Sequence, residues 1–202
     1  MIGSVTHSEA TYGSSTAFHH NRISTERTSS KNMIETERLS FRKFIDDDLP
    51  LLIEQRADPD VNRYLGGPKR QNAEALSTRM KFYMDCYEKF GVGMCPMTWK
   101  ETGQVIGTAG LQPLEDTGEI EVGYSIIKKY WGLGIGTEAA RGWMEYGFNK
   151  MGLERIVAVA VVGNTASRRI MEKLGMKFEK DEVHYDEVCS FYGISKAEFL
   201  AR

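Results

Sequence analysis

Between Tyr130 and Glu138 the chain reads Tyr-Trp-Gly-Leu-Gly-Ile-Gly-Thr-Glu, with glycines at 132, 134 and 136. Glycine at every second position permits backbone turns that other residues resist and lets N–H groups approach a ligand closely. A helical pattern opens immediately afterwards, and the first turn of a helix carries unpaired N–H donors at the positive end of its dipole. Such a place suits a phosphate or pyrophosphate. Two common phosphate loops do not fit. No Lys follows Gly136, as a Walker loop requires, and the spacing is G-x-G-x-G where a dinucleotide fingerprint needs G-x-G-x-x-G. Taken alone, the same glycines also read as a tight turn.

The elements around this stretch must position it. Leu39 and Phe41 alternate with polar neighbours and predict a strand. Asp46, Asp47 and Asp48 before Pro50 predict a helix to about Ala57. Asp58-Pro59-Asp60 opens a second short helix ending near Gly66-Gly67-Pro68. A longer helix runs from about Asn72 to Phe90, with Leu76, Met80, Tyr83, Met84 and Tyr87 on one core-facing side. A meander follows: strands at 92–100, 104–111 and 119–127, turning at Glu101-Thr102-Gly103 and Asp116-Thr117-Gly118. Thr137 to Met151 is an amphipathic helix that Gly152 stops. The β-branched and Ala run from Ile156 to Val162 reads as a strand buried on both faces. Asn164 caps a last helix ending at Leu174-Gly175, and strands near 178–183 and 188–194 complete the chain. The fold class is α/β (α+β): one mixed sheet, mostly antiparallel, with helices on both faces.

Several ordered blocks share one resemblance. Glu35-Thr36-Glu37-Arg38-Leu39-x-x-Arg42, Gly107-Thr108-Ala109-Gly110-Leu111, Glu121-Val122-Gly123-Tyr124, the glycine stretch, Asn164-x-x-Ser167 and Glu172-Lys173-Leu174-Gly175-Met176 are similar to the GNAT superfamily of N-acetyltransferases, in its RimJ/RimL branch of ribosomal-protein N-terminal acetyltransferases. The likeness covers about residues 34 to 192 and implies a sheet splayed between two parallel strands. It implies acetyl-CoA as co-substrate, its diphosphate held by Trp131, Gly132, Leu133, Gly134, Ile135, Gly136 and Thr137, with the Trp131 ring expected to pack on the sheet. It places the pantetheine arm between the strands 119–127 and 155–162, against the backbone of Ile126 and Ile127, with Asn164 near its end. Pantetheine carries two amides, so it can pair with strand backbone as an added strand would. By the same resemblance Glu121 is the candidate base and Ser167 the candidate proton donor to the departing thiolate. A backbone N–H at the strand splay would stabilise the oxyanion. Glu119 shares the face of Glu121 and is the second candidate base; a solvated charge or ion pair is the other reading for each. Two departures stand out. Leu133 replaces a usual Gln, Lys or Arg, which removes one contact to the phosphates, and Met176 replaces an aromatic.

The remaining features bound the function. The 202 residues suffice for one domain with a substantial core. Residues 1–32 hold seven Ser and five Thr with few large apolar residues and read as a disordered extension; a targeting peptide is the alternative, against which Glu9 and Glu26 argue. Residues 33–202 are expected to form the acetyltransferase domain that the resemblance implies. A formal charge of -2 gives no footing for nucleic acid or an anionic membrane. Cys86, Cys95 and Cys189 have no zinc spacing, so no metal is expected, and they read as reduced thiols of a cytoplasmic protein. His184 reads as a satisfied or surface histidine. The expected activity is acetyl transfer to a primary amine, with a protein N-terminal α-amine favoured, a small-molecule amine as the alternative acceptor, and a monomer or homodimer as the assembly. A non-catalytic acyl-CoA sensor and a nucleotide-binding protein are the readings from other classes.

Overall fold

The computed structural model describes residues 33–66 and 70–202. The expected extension at 1–32 and the Gly67-Pro68 end of the second helix lie outside them.

Eight strands form one sheet: β1 (Ile34–Glu35), β2 (Leu39–Phe41), β3 (Met94–Trp99), β4 (Gln104–Pro113), β5 (Ile120–Ile126), β6 (Arg155–Val161), β7 (Lys177–His184) and β8 (Glu187–Ser195), in the order β1-β2-β3-β4-β5-β6-β8-β7. Every pairing is antiparallel except β5 with β6. The helices are α1 (Leu49–Gln55), α2 (Pro59–Asn62), α3 (Ala73–Phe90), α4 (Ile135–Asn149), α5 (Thr165–Lys173) and α6 (Lys196–Leu200). Among the described residues the one parallel step therefore runs β5–α4–β6, the connection that carries the glycine stretch.

Apolar periodicity sets both layers. One face of α4 buries Ala139, Ala140, Trp143 and Phe148 completely against the sheet residues Phe41, Leu111 and Ile156. The Phe41 and Trp143 rings meet edge-on at 5.6 Å, a favoured aromatic arrangement. On the other face of the sheet, Leu76, Met80 and Tyr83 of α3 pack with Leu52, Phe44 and Met94. Met84 is only partly buried.

Two departures from the expected elements have local causes. α4 begins at Ile135, so Gly136 is helical and only Gly132 and Gly134 turn the loop. The short α6 was not expected, although Ser195-x-x-Glu198 forms a reciprocal capping box there. It seats Phe199 on Phe148 at 5.0 Å.

The parallel pair positions the site. β5 pairs with β4 along its whole length but with β6 only at Glu121↔Val157. Beyond that point the two strands part.

Candidate active site

The parting of β5 and β6 leaves backbone donors facing a gap. Ile127 N–H donates to Ile106 O at 2.9 Å, toward β4. Ladder groups alternate along an antiparallel strand, so the amides of Tyr124 and Ile126 turn the other way, into the gap. This corrects one expectation: Ile127 has its N–H on Ile106 and its carbonyl on Tyr130 N–H, so it offers nothing to an added strand. Ile126 keeps its N–H, while its carbonyl accepts from the Trp131 indole at 2.7 Å. Trp131 is thus tied to the strand by a hydrogen bond. Its ring is 47% exposed and lines the cleft, which differs from the expected packing on the sheet.

A cleft of about 530 Å³ runs from this gap to the start of α4. Gly132 (φ 78°) and Gly134 (φ 77°) take left-handed conformations that disfavour side chains, and Gly134 is the N-cap of α4. The first intrahelical bond comes from Glu138 N–H to Gly134 O at 3.1 Å. The N–H groups of Ile135, Gly136 and Thr137 have no partner within the helix, and all three residues line the cleft. At Gly136 a Cβ would lie 2.8 Å from Ile170 and 3.4 Å from Ile126, so glycine lets the helix start close to β5 and α5. Leu133 does not line the cleft; its side chain is exposed and its carbonyl accepts from Arg38 at 3.0 Å. Glu138 holds that guanidinium and also accepts from Thr36 Oγ1 at 2.6 Å, clamping the β1–β2 turn to the loop. Lys173 on α5 lines the cleft and brings a cation where Leu133 brings none.

A second cavity of about 170 Å³ opens on the α3 side of the gap. Glu121, the residue of β5 that pairs with β6, lines it and is 4% exposed. Its carboxylate accepts from Tyr185 Oη and Gln112 Nε2. Burial pushes its pKa above the usual carboxylate range, against the pull of those two donors. Glu119 lies elsewhere, paired with Arg155 at 3.2 Å, and lines neither cavity.

Tyr185 reaches Glu121 from the β7–β8 turn, where Tyr185 (φ 54°) and Asp186 (φ 62°) are both left-handed. Glu115 fixes this turn by accepting from Tyr185 N–H at 3.0 Å and bonding His184 Nδ1 at 2.7 Å, while Glu182 bonds Nε2 at 2.9 Å. His184 is 4% exposed and doubly satisfied, in keeping with its reading as a structural group. Burial alone would lower its pKa, but the two carboxylates raise it overall. Its folded pKa therefore exceeds the unfolded value of ~6.5, so its stabilisation is complete below that pH and fades as pH rises through the folded pKa. His184→Gln is expected to lower Tm by a few degrees at pH 6 and by less at pH 9, read by thermal melts across pH.

Ser167 and Asn164 line both cavities, at the start of α5. Asn164 Oδ1 caps the helix by accepting from Ser167 N–H at 3.2 Å. Ser167 Oγ lies 2.9 Å from Tyr124 Oη, and the two hydroxyls share one hydrogen bond beside the gap. Burial raises the pKa of Tyr124 to about 12, which keeps it a proton-bearing phenol. The thiols are buried, and burial raises Cys95 to about 12 and Cys189 to about 11, so neither is a nucleophile at neutral pH. Among the described residues there is no His/Cys/Asp/Glu group suited to a metal, and no helix long and apolar enough to cross a membrane.

Comparison with known proteins agrees with this architecture. The family model for the acetyltransferase (GNAT) domain matches residues 38–177. YkkB of Bacillus subtilis, an uncharacterized protein, is 34% identical over 168 residues, covering 80% of this chain and 95% of its own. YoaA of the same organism, an uncharacterized N-acetyltransferase, is 31% identical over 153 residues, covering 75% and 85%. The crystal structure of a GNAT-family acetyltransferase from Bacillus anthracis superposes with a TM-score of 0.68 at 28% identity, covering 82% of this chain and 99% of that one.

Proposed function

The chain belongs to the acetyltransferase (GNAT) domain family, and from that premise we propose that it moves an acetyl group from acetyl-CoA to an α-amine held against Glu121. The observation that carries this reading is the placement of a buried carboxylate at the residue where β5 pairs with β6, with the strand edge that parts from β6 and the α4 donors continuing from the same gap. The residues present fit acetyl-CoA. The N–H groups of Ile135, Gly136 and Thr137, with Lys173, would take the diphosphate, and the backbone of Tyr124 and Ile126 would take the pantetheine amides. Acetyl-CoA supplies an activated acyl carbon.

The protein's part is proton handling and orientation. An amine must be neutral to attack, and an α-amine with pKa near ~8 asks less of a base than a lysine near ~10.4. As the amine nitrogen bonds the acyl carbon and the carbon–sulfur bond breaks, Glu121 takes the proton that the amine loses. The Tyr124–Ser167 pair returns one to sulfur. The RimJ/RimL-like blocks bring a protein N-terminus into consideration as bearer of the α-amine, and a free small amine fits the same chemistry equally well.

The test is thiol release from acetyl-CoA with N-terminal peptides and small amines, with the acetylated product identified by mass. Binding of acetyl-CoA without transfer to any amine would leave a sensor, and ATP affinity that acetyl-CoA does not compete away would indicate a nucleotide-binding protein. Because Tyr124 and Ser167 share one bond, each single change is expected to be mild. Ser167→Ala and Tyr124→Phe should each slow transfer roughly 10-fold, and together ~10²–10³-fold, within the range of general acid catalysis. Equal rates in the double variant and the wild type would remove the pair from the mechanism.

A further inference from the structure

We propose that the acceptor is a small amine carrying its own carboxylate, an amino-acid-like molecule whose acid group is held by Arg56 and Arg79 while its amine faces Glu121. This rests on the acetyl-transfer reading and names the substrate class of the same cavity.

The basis is an unanswered pair of cations. Arg56, at the end of α1, lines the cavity and is 6% exposed. Its Nη2 donates to Thr108 Oγ1 at 3.3 Å, and no carboxylate among the described residues lies within ion-pair distance. Arg79, on α3, is half-buried in the same wall and makes no hydrogen bond or ion pair with any described residue. Elsewhere in the fold, several arginines are matched by acids: Arg38 by Glu138, Arg42 by Asp48, Arg155 by Glu119 and Glu179. Burial, with the neighbouring Arg79 adding to it and Tyr83 opposing, pushes the Arg56 pKa down. A buried guanidinium without an anion is costly to keep, and its fork geometry suits a carboxylate.

The same cavity also holds groups that would meet an amine. Besides Glu121, it holds Gln112, whose Nε2 is used on Glu121 and Tyr185 while its Oε1 is buried and unpaired among the described residues. A cavity of about 170 Å³ has room for roughly five or six waters, the scale of a single small molecule. A polyamine would set cations against Arg56 and Arg79. A peptide N-terminus carries a neutral amide where the free acid would be, and would leave both arginines unmatched.

The test uses the full chain with acetyl-CoA and matched acceptor pools: the common amino acids, their carboxamides, the corresponding amines without an acid group, phosphate monoesters of amino alcohols, N-terminal peptides and spermidine. Acids are expected to exceed carboxamides at least ~10-fold in kcat/KM. Arg56→Met and Arg79→Met should each raise the acid acceptor's KM ~10–100-fold and abolish the preference over the carboxamide, with the KM for acetyl-CoA unchanged. Arg56→Met should also melt no lower than wild type, because it removes a buried cation that no carboxylate among the described residues matches, at the loss of only one long hydrogen bond to Thr108. A lower Tm with an unchanged acceptor KM would mark Arg56 as structural and overturn the proposal; Arg79→Met, on a half-buried helix position, tests it independently of folding. Turnover of carboxamides, phosphate esters, peptides or spermidine as good as that of the acids overturns the acceptor class while acetyl transfer stands. Absence of thiol release with every one of these amines overturns both.

Discussion

Glu121→Gln is expected to slow acetyl transfer ~10²–10⁴-fold, the range that a positioned base contributes, while acetyl-CoA affinity stays unchanged and Tm does not fall. The three outcomes have one physical origin. Glu121 is 4% exposed, and burial holds its pKa above the unfolded value. The folded state therefore binds a proton more tightly than the unfolded chain. The cost of keeping the carboxylate ionised is absent below the unfolded pKa of ~4.3 and grows as pH rises through the folded pKa. A neutral glutamine escapes that cost, and its amide oxygen can still accept from Tyr185 and Gln112, the two donors that hold the carboxylate now. The variant should thus melt at or above the wild-type temperature at pH 8. The pH profile separates a base from a prop. In the wild type, kcat/KM should fall on the acid side with the titration of Glu121 as well as of the amine; in Glu121→Gln only the amine's titration should remain. Glu119→Gln is the control on the same strand face, since its carboxylate pairs with Arg155 outside both cavities, and its transfer rate should match wild type. Equal rates for Glu121→Gln and wild type would remove the base.

The elements that depend on local periodicity were readable from the chain. The α3 stripe, the buried run of β6 and the Asn164 cap are each set by residues within a turn or two of one another, and the structure places them within about two residues of the expected ends. The glycine loop was legible for a related reason, because a left-handed backbone at Gly132 and Gly134 leaves its mark in residue type. The site's other wall was not legible. Tyr185 reaches Glu121 across 64 residues, and its turn uses Tyr-Asp in left-handed conformations where Asn-Gly would have signalled a hairpin. Nothing in their local sequence singles out Arg56 and Arg79; only the fold brings them to one cavity where no acid among the described residues pairs with them. The corrected Ile127 assignment failed for a subtler reason: which amides of β5 face the gap depends on its register with β4, and a shift of one residue exchanges the two sets. Tyr124 was hidden by the same alternation, since its phenol and Glu121 leave opposite faces of one strand and meet the gap from different sides.

Gly134→Val is expected to weaken acetyl-CoA binding ~10–100-fold in calorimetry, a larger loss than any side chain of the cleft should give. Gly134 sits at φ 77° as the N-cap of α4, with only Arg38 Nη2, at 3.7 Å, near the position of an added Cβ. Space is thus available, and the conformation is what valine resists: a left-handed residue with a Cβ costs roughly 1–2 kcal/mol, more when β-branched. The chain can relieve that strain by rotating the loop, because no core packing holds Gly134. Rotation turns the first-turn N–H groups of α4 away from a shared anion, and each charge-assisted bond lost is worth ~1.5–3 kcal/mol, or about one to two powers of ten in affinity. Gly118→Val separates strain from binding. Gly118 has φ 80° in the β4–β5 turn, also with open space around it, but it lines neither cavity. Both variants should lose a similar amount of stability in denaturant, and only Gly134→Val should lose affinity. If the two bind acetyl-CoA equally well, the amides at the start of α4 do not hold the diphosphate.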